Sequence, residues 1–161
     1  MILSIGHGAV KSADELLALL KQHEVTLLVD VRTKPYSRWQ PDFNRPALAA
    51  RLGKKYVWMG EVLGGLGPPI EKSAIDRLVR IGENERVAVM CSEAHPSKCH
   101  RHSTIAKRLL ERGIEVLHIL KDGSILTSTE MEGGTPDKKP ASSTDKARAK
   151  QSKRAVQQKL F

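Results

Sequence analysis

Aromatic side chains are scarce in this 161-residue chain: two each of Trp, Tyr and Phe, 4% in all. There are only two cysteines, Cys91 and Cys99, eight residues apart, so no disulfide framework is available. If these thiols act, they act as thiols or metal ligands in a reducing compartment. No stretch approaches the roughly 20 apolar residues that a membrane helix needs, and MILSIGHGAV lacks the basic start and apolar run of a signal peptide. The expected setting is the cytoplasm, away from membranes. Acids are also outnumbered, 18 against 27 Lys and Arg, for a net charge of +9. That balance argues against an acidic solvating chain and for an anionic partner, either nucleic acid or a phosphorylated small molecule.

A 40% hydrophobic content is enough for one core. Composition changes near residue 127. Beyond it apolar residues thin out, and Gly133-Gly134, Pro136, Pro140 and Ser142-Ser143-Thr144 interrupt any pattern. Residues 1–127 are therefore expected to form an α/β domain, and residues 128–161 a disordered basic tail with eight basic and four acidic residues.

Within 1–127, β-branched runs alternate with helical patterns, as in βαβ units. Strands are expected at Ile2–Ile5, Val25–Val31, Lys55–Met59, Val87–Cys91 and Glu115–Leu120. Helices are expected after Ser12 (with Glu15 completing a capping box), after Asn44, from about Ser73, and from Lys98 to Arg112. The sum is an open, mostly parallel sheet of about five strands with helices on both faces. Ligands of such sheets bind beyond the carboxyl ends of the strands, so the residues that follow each strand are the candidates for chemistry.

Gly6-His7-Gly8 follows the first strand, Asp30 and Arg32 the second, and Cys91 to His102 the fourth. A thiol where a strand feeds a helix sits beside the helix's unpaired N–H groups and positive dipole end, which favour a thiolate. Cysteine-dependent phosphatases and rhodanese-like sulfur-transfer proteins share this layout, though with a tighter Cys-to-Arg cradle. Cys91 and Cys99 are the candidate nucleophiles, with His7 or His100 as proton carrier. Arg32, Arg38 and Arg101 are candidates to clamp an anion. Asp30, at a strand end, is expected to orient Arg32 or a histidine. The loop RTKPYSRWQPDFNR places Tyr36 and Trp39 beside arginines, a composition suited to stacking a base while holding phosphate. Cys91, His95, Cys99, His100 and His102 could also serve zinc. Their Cys-x7-Cys-His spacing matches no familiar ligand pattern, however, and Cys99 and His100, adjacent on a helix, would point apart. No metal and no cofactor is expected.

Several blocks occur together and in order: Ser4-Ile5-Gly6-His7, Val29-Asp30-Val31-Arg32, Leu63-Gly64-Gly65, Cys91-Ser92-Glu93, Cys99-His100-Arg101 and Leu117-His118. This series resembles a bacterial and archaeal family known only as a domain of unknown function, number four-eight-eight. The likeness runs over about residues 1–122 and implies an α/β domain in which these blocks group together; it brings no activity with it. The residues themselves leave two main readings open. One is a thiol/His/Arg site that binds or processes a phosphate- or nucleotide-like anion. The other is a nucleic-acid-binding module using the Arg/Tyr/Trp loop and the basic tail, and oxidation sensing by the thiol pair is a third.

Overall fold

The computed structural model describes residues 1–133. Six strands form one sheet: β1 (Ile2–Gly6), β2 (Leu27–Asp30), β3 (Tyr56–Trp58), β4 (Val87–Cys91), β5 (Val116–Ile119) and β6 (Ile125–Thr127). Their spatial order is β3-β2-β4-β1-β5-β6; all pairings are parallel except β5 with β6. Six helices accompany them: α1 (Ala13–Gln22), α2 (Arg45–Leu52), α3 (Gly60–Leu63), α4 (Lys72–Asn84), α5 (Lys107–Leu110) and α6 (Ser128–Met131).

The period-2 geometry of the strands divides the interior into two cores. Along β4, Val87, Val89 and Cys91 face one side with Ile75, Leu78, Ile105 and Leu109. Ala88 and Met90 face the other, with Leu16, Leu20, Phe43 and Leu48. A strand buried on both faces must be apolar throughout, which is why VAVMC shows no alternation. The chirality of the crossovers puts α1 and α2 on one face and α4 and α5 on the other. From β1 the chain leaves towards β2, and from β4 it returns past β1 to β5. The order therefore switches between β1 and β4, and a crevice opens at their carboxyl ends.

Local signals place the helices. Ser12 caps α1, its Oγ accepting from Glu15 N at 3.2 Å. Asn44 does not cap α2 through its side chain; its Oδ1 accepts from Ser37 N instead and braces the preceding loop. The helix expected over 98–112 is broken into pieces. Pro96–Lys98 is a 3-10 turn, Cys99 is extended (φ −133°, ψ 141°), Arg101–Ala106 is a wide π-turn, and only then does α5 begin.

Regular structure continues past residue 127 as one short helix. The antiparallel strand β6 and the helix α6 follow the Lys121-Asp122-Gly123 turn, and α6 is held by polar bonds rather than apolar burial. Thr127 and Glu130 form a capping box, and Ser128 Oγ donates to Glu115 and accepts from Val116 N. Residues 134–161 of the expected tail lie outside the described residues. No helix among the described residues is long and apolar enough to cross a membrane.

Candidate functional site

At the carboxyl end of β2, Asp30 is fully buried and grips Arg32 in a fork, with Oδ1 to Nε at 2.9 Å and Oδ2 to Nη2 at 2.6 Å. Arg32 Nη2 also donates to Phe43 O, and Tyr56 Oη donates to Asp30 Oδ2. Asp30 thus orients Arg32, as expected, and Arg32 in turn enters the wall of a cavity of about 240 Å³. The other lining residues are Thr33, Lys34, Gly65, Leu66, Cys91, Ser92, Glu93 and His100. Its charged lining is Arg32 and Lys34 against Glu93, with His100 between them.

Cys91 is in the lining of this cavity, and Cys99 approaches it there. Cys91 reaches it because it is the last residue of β4 and its side chain falls on the α4/α5 face. Cys99 comes beside Cys91 because the backbone there is extended. The sulfurs of both and Nδ1 of His100 all lie within 4.8 Å of one another. An extended residue turns its neighbours apart differently from a helical one, so Cys99 and His100 converge where a continuous helix would have separated them. His100 Nδ1 lies 3.6 Å from Cys91 Sγ and 3.9 Å from Cys99 Sγ, while Nε2 sits 3.0 Å from Leu63 O. A carbonyl only accepts, so Nε2 carries the proton and Nδ1 presents its lone pair to the sulfurs when the ring is neutral.

The two thiols differ. Cys99 is held below the ordinary thiol range: the hydrogen bond from Cys91 contributes most, and His100 and the Arg101 N–H, 3.5 Å from Cys99 Sγ, add to it. Cys91 is pushed up by its hydrogen bond to Cys99, by burial, and by donation to Glu93 Oε2 at 3.0 Å. Negative charge therefore rests on Cys99, and Cys91 is the protonated sulfur facing the cavity. Burial alone would lower the His100 pKa, but its hydrogen bond to Cys99 and the neighbouring negative charges outweigh that, and the net shift is upward.

Arg101 is not in the cavity wall. It is 1% exposed and lies beneath the 91–94 loop, with Nη1 donating to Glu93 O at 2.6 Å and Nη2 to Ala94 O at 3.1 Å. It shapes the loop instead of reaching a ligand. His7 is likewise buried behind the site, stacked on Phe43 with ring centroids 4.8 Å apart. Tyr36 (64% exposed), Trp39 (84% exposed) and Arg38, whose guanidinium lies 5.6 Å from the Trp39 ring centroid, face solvent outside the cavity. The loop's own carbonyls take the amides that a helix N-terminus would have offered to an anion: Lys98 N to His95 O, Cys99 N to Pro96 O, and His102 N to Cys99 O.

Residues 12–72 match a family model, the Domain of unknown function DUF488. The family resemblance is DUF488. The matched segment holds Asp30, Arg32, Thr33, Lys34, Gly65 and Leu66, one wall of the cavity, while the thiols and His100 come from beyond it. No curated protein and no solved structure matches the chain.

Thr33, Lys34 and Leu66 joined the site without being singled out, while Gly65 and Glu93 belong to the Leu63-Gly64-Gly65 and Cys91-Ser92-Glu93 blocks of the resemblance, which gave them no role. Gly65 is there for space. A Cβ at this position would lie 2.6 Å from His100 Cγ and 2.7 Å from Nδ1. Gly65→Ala is therefore expected to turn the His100 ring away from Leu63 O and the sulfurs at a cost of about 1–2 kcal/mol. Urea unfolding would read that cost, and the imidazole NMR titration of His100 would move toward that of an ordinary histidine.

Proposed function

We propose that the domain binds and processes a small anionic substrate, phosphate- or nucleotide-like, in the cavity between Arg32, Lys34 and His100, with the Cys91–Cys99 pair as its reacting group. One observation carries this reading: two thiols and an imidazole converge at a cavity whose lining includes Arg32 and Lys34. Asp30 holds Arg32 rigid, so the guanidinium meets an anion without losing side-chain freedom. Lys34 adds a movable charge. The Cys99 thiolate is the nucleophile and Cys91, protonated beside it, supplies the proton, while His100, fixed through Nε2, turns Nδ1 toward both sulfurs. As the sulfur bonds to the electrophilic atom, the leaving group departs with that proton.

Alkylation tests the reading. In metal-free, reduced protein, iodoacetate is expected to label Cys99, the sulfur that carries the negative charge, faster than it labels a free thiol. Its advantage over neutral iodoacetamide should be larger than on free cysteine, because the cavity concentrates anions. Inorganic phosphate or a nucleoside monophosphate should slow the labelling, and Cys91→Ser, which removes the thiol that holds Cys99 down, should slow it too. Labelling no faster than an ordinary thiol, or equal rates for the two reagents relative to free cysteine, rejects the proposal.

The exposed Trp39 and Tyr36 with Arg38 over the Trp39 face favour a second reading, a nucleic-acid-binding surface. Its mark is affinity for single-stranded DNA or RNA that falls steeply with salt and drops on Trp39→Ala. Binding that is absent or insensitive to salt removes it.

A further inference from the structure

Cys91, Cys99 and His100 have the geometry of a metal site, although their spacing in the chain gives no such sign. Tetrahedral zinc has Zn–S bonds of about 2.3 Å and Zn–N bonds of about 2.0–2.1 Å, so sulfur and nitrogen on one ion lie roughly 3.6 Å apart. The two sulfur–nitrogen separations here are 3.6 and 3.9 Å. From these positions and this geometry we propose that the three groups bind one divalent zinc-class ion.

Three further features point the same way. A metal-binding histidine normally donates its other ring N–H to a carbonyl or carboxylate, which fixes tautomer and orientation. His100 Nε2 does this to Leu63 O at 3.0 Å, leaving Nδ1 for the ion. The backbone N–H of Arg101 donates to Cys99 Sγ, the kind of bond that steadies a coordinated thiolate. Finally, the three groups occupy only three tetrahedral positions, and the cavity lies over the fourth, since Cys91 and His100 are both in its lining. Glu93 Oε2, 3.0 Å from Cys91 Sγ, stands at that edge. Three protein ligands with a position left for water or substrate is the arrangement of a catalytic zinc site, whereas a structural site closes with four. Two thiolates and one imidazole suit zinc better than magnesium or calcium, which prefer oxygen.

This inference goes beyond the preceding reading, since it needs the cluster but not its nucleophilicity. It also predicts how the two relate. An ion held by both sulfurs masks them from alkylation and offers its open position to the anion drawn in by Arg32 and Lys34.

The test uses the full chain, stripped of metal and reduced. The chain's only cysteines are in this cluster, and residues 134–161 contain no histidine, so competing ligands are few. Cobalt(II) is added as the probe. One equivalent is expected to bring up the intense thiolate-to-cobalt charge-transfer band and the visible bands of four-coordinate cobalt, and one equivalent of zinc should abolish them. Cys91→Ser, Cys99→Ser and His100→Ala should each weaken cobalt binding by on the order of 100-fold or more, beyond the 10–100-fold typical of losing an outer partner. Zinc should also protect both thiols of the unaltered protein from a disulfide reagent, a readout that needs no variant to fold. Absence of the charge-transfer band in folded protein, or cobalt binding that survives all three substitutions, overturns the proposal. Fast alkylation of metal-free protein alongside a failed cobalt titration would leave the thiol chemistry standing and remove the metal alone. A sound cobalt site with sluggish metal-free thiols would do the reverse.

Discussion

Gly6→Ala is expected to be far more damaging than one added methyl group suggests. A Cβ on Gly6 would fall inside the van der Waals envelope of the Glu93 carbonyl and 2.7 Å from Arg101 Nη1. Neither group can rotate away. The carbonyl is backbone, and the guanidinium is buried and bound to Glu93 O and Ala94 O. The loop after β4 must move as a unit, breaking the bond from Gly8 N to Ser92 O at 2.9 Å. Overpacking usually costs about 1–3 kcal/mol; with rigid backbone on one side and a buried cation on the other, a loss of about 3 kcal/mol or more is expected. Urea unfolding would measure it. The same shift moves Glu93 and Cys91, so labelling of the thiol pair should lose its preference for iodoacetate even below the unfolding transition. A variant as stable as the parent, with the same labelling pattern, would mean that the loop does not sit on Gly6 as described.

The fold was legible because local physics and tertiary physics agree over most of the chain. VTLLVDV and VAVMC are apolar at nearly every position, as strands buried on both faces must be, and Ser12 marks the start of α1 with a residue that can cap it. The short helix past residue 127 was illegible for the opposite reason. Apolar content marks buried segments, but α6 is docked by hydroxyls and carboxylates, with Ser128 on Glu115 and Glu132 on His102 and Lys107. The site was half legible. Strand ends pointed to Cys91, Asp30 and Arg32. The pairing of Cys99 with His100 depends on one extended residue inside what reads as a helix, and no periodicity reports that. Arg101 shows the limit of reading charge alone: the guanidinium that could have held a substrate holds two backbone carbonyls instead, and only burial tells those apart. Tyr36 and Trp39 were picked for their residue type, and that choice is indifferent to whether they face the cavity or solvent.

Acid should unfold this domain at a pH where most of its carboxylates are still ionised, because two of its histidines are buried as neutral rings. His7 is held down to about 4, first by burial and then by the nearby Arg32 charge. His118 is held down to about 3, first by burial and then by His102 and Arg101. The hydrogen bonds around His118 accommodate the neutral ring and set its tautomer. Its Nδ1 is 2.6 Å from Ser4 Oγ, its Nε2 is 3.2 Å from His102 Nδ1, and His102 Nε2 is 2.9 Å from Glu132 Oε1. The Glu132 carboxylate can only accept, so His102 must donate from Nε2. With both rings neutral, His102 Nδ1 then accepts from His118 Nε2, and His118 Nδ1 accepts from the Ser4 hydroxyl. A proton added to His118 Nδ1 would turn the Ser4 hydroxyl into the acceptor and take from its O–H the ring nitrogen it donates to. Both folded pKa values lie below the unfolded value of about 6.5, so the unfolded chain binds these protons first and stability falls as pH drops below about 6.5. A ring that takes its proton only in the unfolded chain costs about 1.4 kcal/mol for each pH unit, so the two together withdraw about 2–3 kcal/mol per pH unit between roughly pH 6 and 4. Below that range His7 is saturated and the slope eases. Urea midpoints taken from pH 8 to pH 4 would show a plateau above neutrality and then this decline, and His118→Gln should remove about half of the slope. A midpoint that stays level from pH 7 to pH 5 would mean that these rings are open to protons in the folded state, and that the chain from Ser4 to Glu132 does not hold them as drawn.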